Sequence, residues 1–444
     1  MDGWVGLDVG TTSSKAVLYD RAGRRLSAGR TRTAWRTGPD GTELDPDVLR
    51  DAAIEALSAA VDAAPDTVRI LGVGVTSMGE TGVLVDGHDS PVAPAVAWHD
   101  DRDHVEVGEL SNEIGADEFG VRAGKPLRGQ FSLTKHRWLR RHNPAVASAV
   151  RRFNVAEWVA RGLGSDEACD RSLACRTGWF DPSAGGWWPE ALAWSGASVE
   201  LMPPLVDSGV AIGRVKGAGG HPRLADAVVT LAGHDHQAAA LGVGAVLPGD
   251  ELDSSGTAEA LVRTVLPDLG PEQMLALARA GITTDVSIQP ERWSLLGGTE
   301  GGLAMQRALD LLGISTGDLP GLDERALTAT SGRVVVTGIG TDALRLSGIT
   351  DGVGPGEIWR AVVEAATAEA VRLHKAMTAV AGPHNRLLAT GGWCHSTMVL
   401  HAKRAGFGDV QVAPASEAGT LGAATLAARA AGGLGADDIL GRPE

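Results

Sequence analysis

The chain has no run of eighteen apolar residues, and so no candidate for a membrane-spanning helix. Its N-terminus, Met1-Asp2-Gly3-Trp4, has neither the basic nor the apolar stretch of a secretory signal, which predicts a cytoplasmic protein with no membrane partner. Cysteine is scarce: Cys169, Cys175 and Cys394 are odd in number and outside any metal-ligand spacing, as expected of buried or neutral thiols in a reducing compartment. Basic residues are the minority, forty Lys and Arg against fifty-five Asp and Glu, and no basic block exists to neutralise a phosphate backbone. Nucleic acid is therefore excluded as an expected partner. Also missing are a Walker lysine loop and a dinucleotide glycine fingerprint after a strand. Any phosphate chemistry must use another device.

What is present describes two ordinary domains. A chain of 444 residues, 43% hydrophobic and 21% charged, exceeds what one core supports and predicts a division into 1–245 and 246–444. Trp4 to Asp8 reads as a strand, Val9 to Thr12 as a turn and Ser14 to Asp20 as a second strand, a hairpin at the N-terminus. Asp45 as N-cap and Pro46 at the first helical position open an amphipathic helix with Leu49, Ala53, Leu57, Ala60 and Val61 on one face. Ile70–Val75, Val83–Val85 and Ala95–Trp98 read as strands, so helices and strands alternate and the class is α/β. The pattern predicts mostly helix over 131–163 and irregular, substrate-covering structure over 178–204, which is rich in Trp, Gly and Pro. Near Gly242 the chain changes character, and Glu251 to Arg263 again reads as strand, glycine turn, strand. Helices are expected over 356–380, 396–405 and 417–430, with strands at 387–390 and 409–412.

A glycine turn between strands lets backbone N–H groups approach phosphate oxygens, threonine hydroxyls add donors, and an acidic residue at the strand end can hold hydrated magnesium. Asp8, Gly10, Thr11, Thr12 and Lys15 supply these parts, although alone they describe equally well a tight hairpin with polar turn residues. Gly256-Thr257, after Asp253, offers a second such turn, and two of them would clasp ATP and Mg2+ between domains. Glu80 and Asp100 are candidate acceptors for substrate hydroxyls. Trp98 suits either the carbon face of a substrate or a core. Gly391-Gly392, at a strand end, would let a base and ribose approach the backbone, and is equally a plain strand turn. Asp235 stands at a turn before a small-residue helix, where it could cap that helix or, with His234 and His236, bind a metal.

Taken together, these segments resemble the FGGY family of carbohydrate kinases, relatives of actin, hexokinase and the heat-shock chaperone ATPases. The resemblance runs over nearly the whole chain. It rests on Gly6-Leu7-Asp8-Val9-Gly10-Thr11-Thr12-Ser13-Ser14-Lys15, Gly74-Val75-Thr76-Ser77-Met78-Gly79-Glu80, Trp98-His99-Asp100-Asp101-Arg102 and Asp170-Arg171-Ser172 with Arg176-Thr177-Gly178. It continues with Gly233-His234-Asp235, Ser255-Gly256-Thr257, Gly391-Gly392 and Glu417-Ala418-Gly419-Thr420-Leu421-Gly422. The family implies two actin-like (ribonuclease H-like) ATPase domains, an interdomain cleft that closes on sugar and ATP, and phosphorylation of a small sugar or polyol. It also implies Asp235 as general base, Met78, Glu80, Trp98 and Asp100 at the acceptor, and Gly391 and Gly392 at the adenosine.

The chain departs from the family twice. Xylulokinase-like members carry Gln-Met-His-Gly where this chain has Ser77-Met78-Gly79-Glu80, and Glu80 is similar to the glycerol kinase branch. Residues 334–349 are compressed where relatives have a longer loop. Two other functions fit an actin-like chain: an ATPase that works as a conformational switch, and a catalytically silent sugar sensor. Intact Asp8, Lys15 and Asp235 favour the kinase over both. A homodimer is the assembly considered, and the residues themselves do not decide it.

Overall fold

A computed structural model of the chain describes residues 1–39, 41–216, 221–341, 343–414 and 417–441. The continuous apolar run at the N-terminus forms Asp2–Val9, buried along nearly its whole length, as a central strand covered on both faces must be. It lies antiparallel to Ser13–Asp20 and parallel to Arg69–Ser77, in a six-stranded sheet completed by Arg25–Arg32 on one side and by Val228–His234 and Ala211–Arg214 on the other. A second six-stranded sheet repeats the plan. Asp250–Ser255 lies antiparallel to Glu259–Val265 and parallel to Arg386–Thr390, with Gln411–Val412 outside the latter and Trp293–Thr299 and Thr283–Val286 outside the hairpin. The weak echo between the two glycine-threonine turns is thus the visible part of a duplicated topology. In both sheets the first strand and its parallel neighbour end together, Val9 beside Ser77 and Ser254 beside Thr390.

Local signals explain several elements directly. Asp45 accepts the N–H of Asp47 at 2.9 Å and caps the helix Pro46–Asp62, whose buried face is Leu49, Ala53, Ala56, Leu57, Ala60 and Val61. The long helix is Pro355–Ala381, and Ser396 caps Thr397–Phe407. The stretch 131–163 is mostly helix, as expected, with one short strand, Arg151–Asn154, between Ser132–His142 and Val155–Gly162, where it pairs with Gly82–Val85. The reading of 178–204 as a cover is corrected: Trp179, Trp188, Leu192 and Met202 pack with Phe119 and Phe131 into a core of their own. The compressed stretch 334–349 is a short antiparallel hairpin, Val335–Thr337 with Arg345–Ser347. All three cysteines are buried and unpaired. Among the described residues no helix is long and apolar enough to cross a membrane.

The two sheets are joined by the small-residue helices Asp235–Val243 and Ala418–Ala430. The last helix returns to lie on the first sheet, and only glycine admits it. A Cβ on Gly6 would fall 1.8 Å from the Thr420 carbonyl oxygen, and one on Gly74 2.1 Å from that of Ala423. The helices meet each other as closely, a Cβ on Gly422 lying 1.9 Å from the Ala238 oxygen. Gly422→Val is expected to force this pair apart and to destabilise the protein by about 1–3 kcal/mol, the usual cost of overpacking. Thermal unfolding checks this; an unchanged midpoint would mean that the helix pair tolerates separation.

Candidate active site

The first glycine turn is held from behind. Gly10 N–H donates to the Ser13 carbonyl at 3.2 Å, and the Trp35 indole N–H donates to the Thr11 carbonyl at 2.6 Å. Thr12 stands exposed at the tip. Trp98 donates its indole N–H to Thr11 Oγ1 at 3.0 Å, so this tryptophan braces the turn, its ring meeting His99 edge-on. Met78 is buried beneath it, its sulfur 3.7 Å from Thr11 Oγ1. Lys15, opposite Asp8 in register, forms an ion pair with Glu417 at 3.1 Å and ties the turn to the start of the last helix.

Asp8 and Asp235 converge on this turn from two strand ends. A Cβ on Gly419 would lie 2.8 Å from Asp8 Oδ2 and 3.9 Å from the Asp235 carbonyl oxygen, so the last helix approaches both residues only because position 419 has no side chain. Burial raises the Asp8 carboxyl above the usual range and the charge of Asp235 raises it further, with Lys15 opposing. Burial also raises Asp235; the N–H of His236 opposes, and the charge of Glu80 adds to the rise. Asp235 opens the helix Asp235–Val243 and Oδ1 accepts His236 N–H at 2.7 Å. Burial holds His236 down at about 4 and His234 well below its ordinary value, so both are neutral at pH 7. Among the described residues no group of three His, Cys, Asp or Glu is placed to hold a metal, which argues against a His234-Asp235-His236 site.

Glu80 is buried and holds a left-handed backbone, φ 64°, which costs a non-glycine residue about 1–2 kcal/mol and persists only where the surroundings enforce it. The enforcing groups were not legible in the sequence. Arg176, fully buried, donates Nε to Glu80 Oε1 at 2.9 Å and Nη1 to Asp285 Oδ2 at 2.9 Å, and Lys125 closes on Asp285 Oδ1 at 2.7 Å. Gln130 donates to Glu80 Oε1 at 2.9 Å. Asp285 belongs to the second sheet, so this chain of charges joins Glu80 to the opposite lobe. Asp100 is corrected as a free acceptor for substrate hydroxyls. Arg102 donates Nε to Oδ1 at 2.8 Å and the N–H of Thr42 takes the other oxygen. These hydrogen bonds outweigh burial and hold the carboxyl below the usual range, so Asp100 pins a loop.

The second turn is equally supported. Gly256 N–H donates to the Ala258 carbonyl at 3.1 Å, while Thr257, Gly391 and Gly392 are exposed at the strand ends. A Cβ on Gly391 would fall 2.3 Å from the Ser255 oxygen, and one on Gly302 1.8 Å from the Gly256 oxygen. Position 302 opens the helix Gly301–Leu312, a contact for which the glycine pair Gly301-Gly302 was the available signal. Beneath the turn, buried Lys403 bonds both Asp253 and Glu259, one on each strand of the hairpin.

Two six-stranded sheets of one duplicated topology, each carrying a glycine-threonine turn and an acidic residue on its first hairpin, define an actin-like ATPase fold. The N-terminal domain profile of the FGGY family of carbohydrate kinases matches residues 3–242, and its C-terminal domain profile matches 328–431. The chain is 30% identical over 434 residues to a xylulose kinase of Streptomyces coelicolor, covering 96% of this chain and 87% of that one. It is 28% identical over 473 residues to a glycerol kinase of Beutenbergia cavernae, covering 96% and 89%. The crystal structure of xylulose kinase from Rhodospirillum rubrum superposes with a TM-score of 0.85 at 23% identity, covering 98% of this chain and 92% of that one. The chain belongs to the FGGY family of carbohydrate kinases.

Proposed function

We propose that this carbohydrate kinase transfers the γ-phosphoryl group of ATP to a hydroxyl of a small sugar or polyol, with Asp235 as general base. The observation that carries this reading is the approach of Asp8 and Asp235 to the one side-chain-free position Gly419, with the charge of Asp235 acting on Asp8 and that of Glu80 acting on Asp235. Asp235 takes the acceptor proton and orients the oxygen, Glu80 positions a neighbouring hydroxyl, and the turns at Gly10-Thr11 and Gly256-Thr257 hold the phosphates. The adenosine lies at Gly391-Gly392. The division at 245/246 assigns acceptor and base to the first domain and adenosine to the second. An ATP-dependent reaction and three reduced cysteines favour the cytosol.

The residues fit a magnesium ion. Asp8 Oδ1 is buried without a hydrogen-bond partner, and since among the described residues no three acidic, histidine or cysteine groups are placed to hold a metal together, the remaining coordination would fall to phosphate oxygens and water, the usual arrangement for Mg2+. Bound there, the ion would neutralise phosphate charge. Asp8 would hold it, and Lys15 would exchange Glu417 for a phosphate as ligand arrives.

The test is acceptor-dependent ADP release, with the phosphorylated product identified, over ketoses, alditols and sugar acids. A switch or a silent sensor yields no phosphorylated product. Asp8→Asn should shift the magnesium titration to higher concentration by about tenfold or more, the worth of one charge-assisted contact. An unchanged titration would remove Asp8 from the metal site.

A further inference from the structure

We propose that the cavity behind Glu80 binds one chloride-sized monovalent anion, held by Arg152 and His136. The inference goes beyond the phosphotransfer reading, and binding at this place does not depend on it. The cavity has a volume of about 30 Å³, and its whole wall is buried except for half-buried Gly82. That is room for a halide or about two waters, and too little for a phosphate or a carboxylate ligand. Arg152 enters the wall as a buried guanidinium that, among the described residues, has no ion pair. It lies against Gly82, where a Cβ would fall 2.5 Å from Nε, and over the Trp179 ring at 5.6 Å. Its bonds go to uncharged oxygens: Nη1 donates to Asn154 Oδ1 at 2.5 Å, and Nη2 to Ser132 Oγ at 2.8 Å and to the Glu80 carbonyl at 3.4 Å. A guanidinium has five N–H groups, so part of its donor capacity is unused.

His136 supplies a second unused donor. Its Nε2 is buried with no hydrogen-bond partner, its ring meets Trp179 edge-on at 5.5 Å, and it lines the same cavity. Burial, with the charges of Arg140 and Arg152, holds it down at about 3, so it is neutral and can present an N–H at Nε2. The other basic wall residue, Lys135, is already satisfied by the Asp100 carbonyl at 2.7 Å, Asp103 Oδ1 at 3.1 Å and the Gly129 carbonyl. Neither neighbouring carboxylate closes on Arg152. That of Glu80 answers to Arg176 and Gln130, and its charge is not among those acting on Arg152. Glu157 accepts from both N–H groups of Asn154 and from that of Asp170, burial raises it to about 7, and it reaches Arg152 through the Asn154 amide. The cavity thus offers a buried positive charge and two donors in want of an acceptor. A water would leave the charge uncompensated, whereas a halide accepts from both donors and neutralises the guanidinium. Because Arg152 and Ser132 hold the Glu80 carbonyl, an anion that fixes Arg152 also steadies the left-handed backbone that aims Glu80.

Thermal unfolding of the full chain at constant ionic strength, with sodium acetate exchanged for sodium chloride, tests binding without turnover. The midpoint should rise by about 2–4 °C as chloride goes from about 1 to about 100 mM, the linkage of a millimolar site. Bromide should act likewise, and crystals grown in bromide should show its anomalous signal in the cavity beside Arg152 and His136. Val96→Leu, which fills the space from an apolar position of the wall, should fold and lose both responses, and Arg152→Gln should lose them as well. In turnover, chloride should lower the acceptor KM several-fold and leave the ATP KM unchanged. A midpoint indifferent to halide, with a water refined in the cavity, would overturn the assignment. So would a crystal signal with no shift in melting, which marks an adventitious ion only, and a halide response that survives both substitutions, which places the anion elsewhere. If no acceptor of any class released ADP, the phosphotransfer reading would fall while the melting and diffraction results still decided the anion.

Discussion

Asp235→Asn is expected to fold, to bind ATP and acceptor nearly as well as the parent, and to turn over more slowly by on the order of 10²–10⁴, the usual contribution of a positioned base. Asparagine keeps the shape, and its Oδ1 can still accept the His236 N–H that Asp235 accepts at 2.7 Å. It cannot take a proton. The substitution also removes one of two facing carboxylates, since the charge of Asp235 acts unfavourably on buried Asp8. Thermal stability should therefore hold or rise while turnover falls, an opposition that a structural cap would not produce. Single-turnover kinetics and a melting curve on one preparation decide it. If the variant kept a third of parental turnover, the base assignment would be wrong and the helix-cap reading would replace it.

Much of this site was legible because its signals are local. The first turn needs only an apolar run, an acidic strand end and Gly-Thr, all within Gly6 to Lys15. The helix at Pro46 announces itself through Asp45 and the spacing of its apolar residues. Other features depend on partners far along the chain. Gly6 looks like any strand glycine until Thr420 is placed against it, and nothing near Glu80 names Arg176 and Asp285 as its supports. The error at Asp100 is of a different kind. Its partner Arg102 lies two residues on, so a carboxylate beside an arginine was readable there as an ion pair. The tryptophans of 179–194 misled because the same residue type covers ligands and fills cores, and the helices that supply much of the rest of this core lie far back in the chain, between His104 and His142.

Arg176→Met should be the most damaging substitution for the fold near the site. The guanidinium is fully buried and joins Glu80, which follows a strand of the first sheet, to Thr283 and Asp285 in the second. Methionine fills part of the space but leaves Glu80 with Gln130 as its remaining side-chain donor, and Asp285 with Lys125 and Thr283. Breaking a buried ion pair from one side costs about 3–5 kcal/mol, because the charge left behind stays desolvated. The unfolding midpoint should drop accordingly, and the acceptor KM should rise, since Arg176 is the buried charge that anchors the carboxylate of Glu80 while Ser132 and Arg152 hold only its backbone carbonyl. The pH dependence follows from Asp285: burial raises its carboxyl, but Lys125 and Arg176 outweigh burial and hold it far below the usual range. A carboxyl depressed in the folded state stabilises the protein above its unfolded pKa of about 3.9 and ceases to do so as pH falls toward the folded value. The stability difference between parent and Arg176→Met should therefore be full at neutral pH and shrink below about pH 4. Adding Glu80→Gln to the variant removes the stranded charge and should recover part of the stability without recovering acceptor affinity. An Arg176→Met protein that unfolded at the parental midpoint would show that this chain of charges does not hold the lobes together.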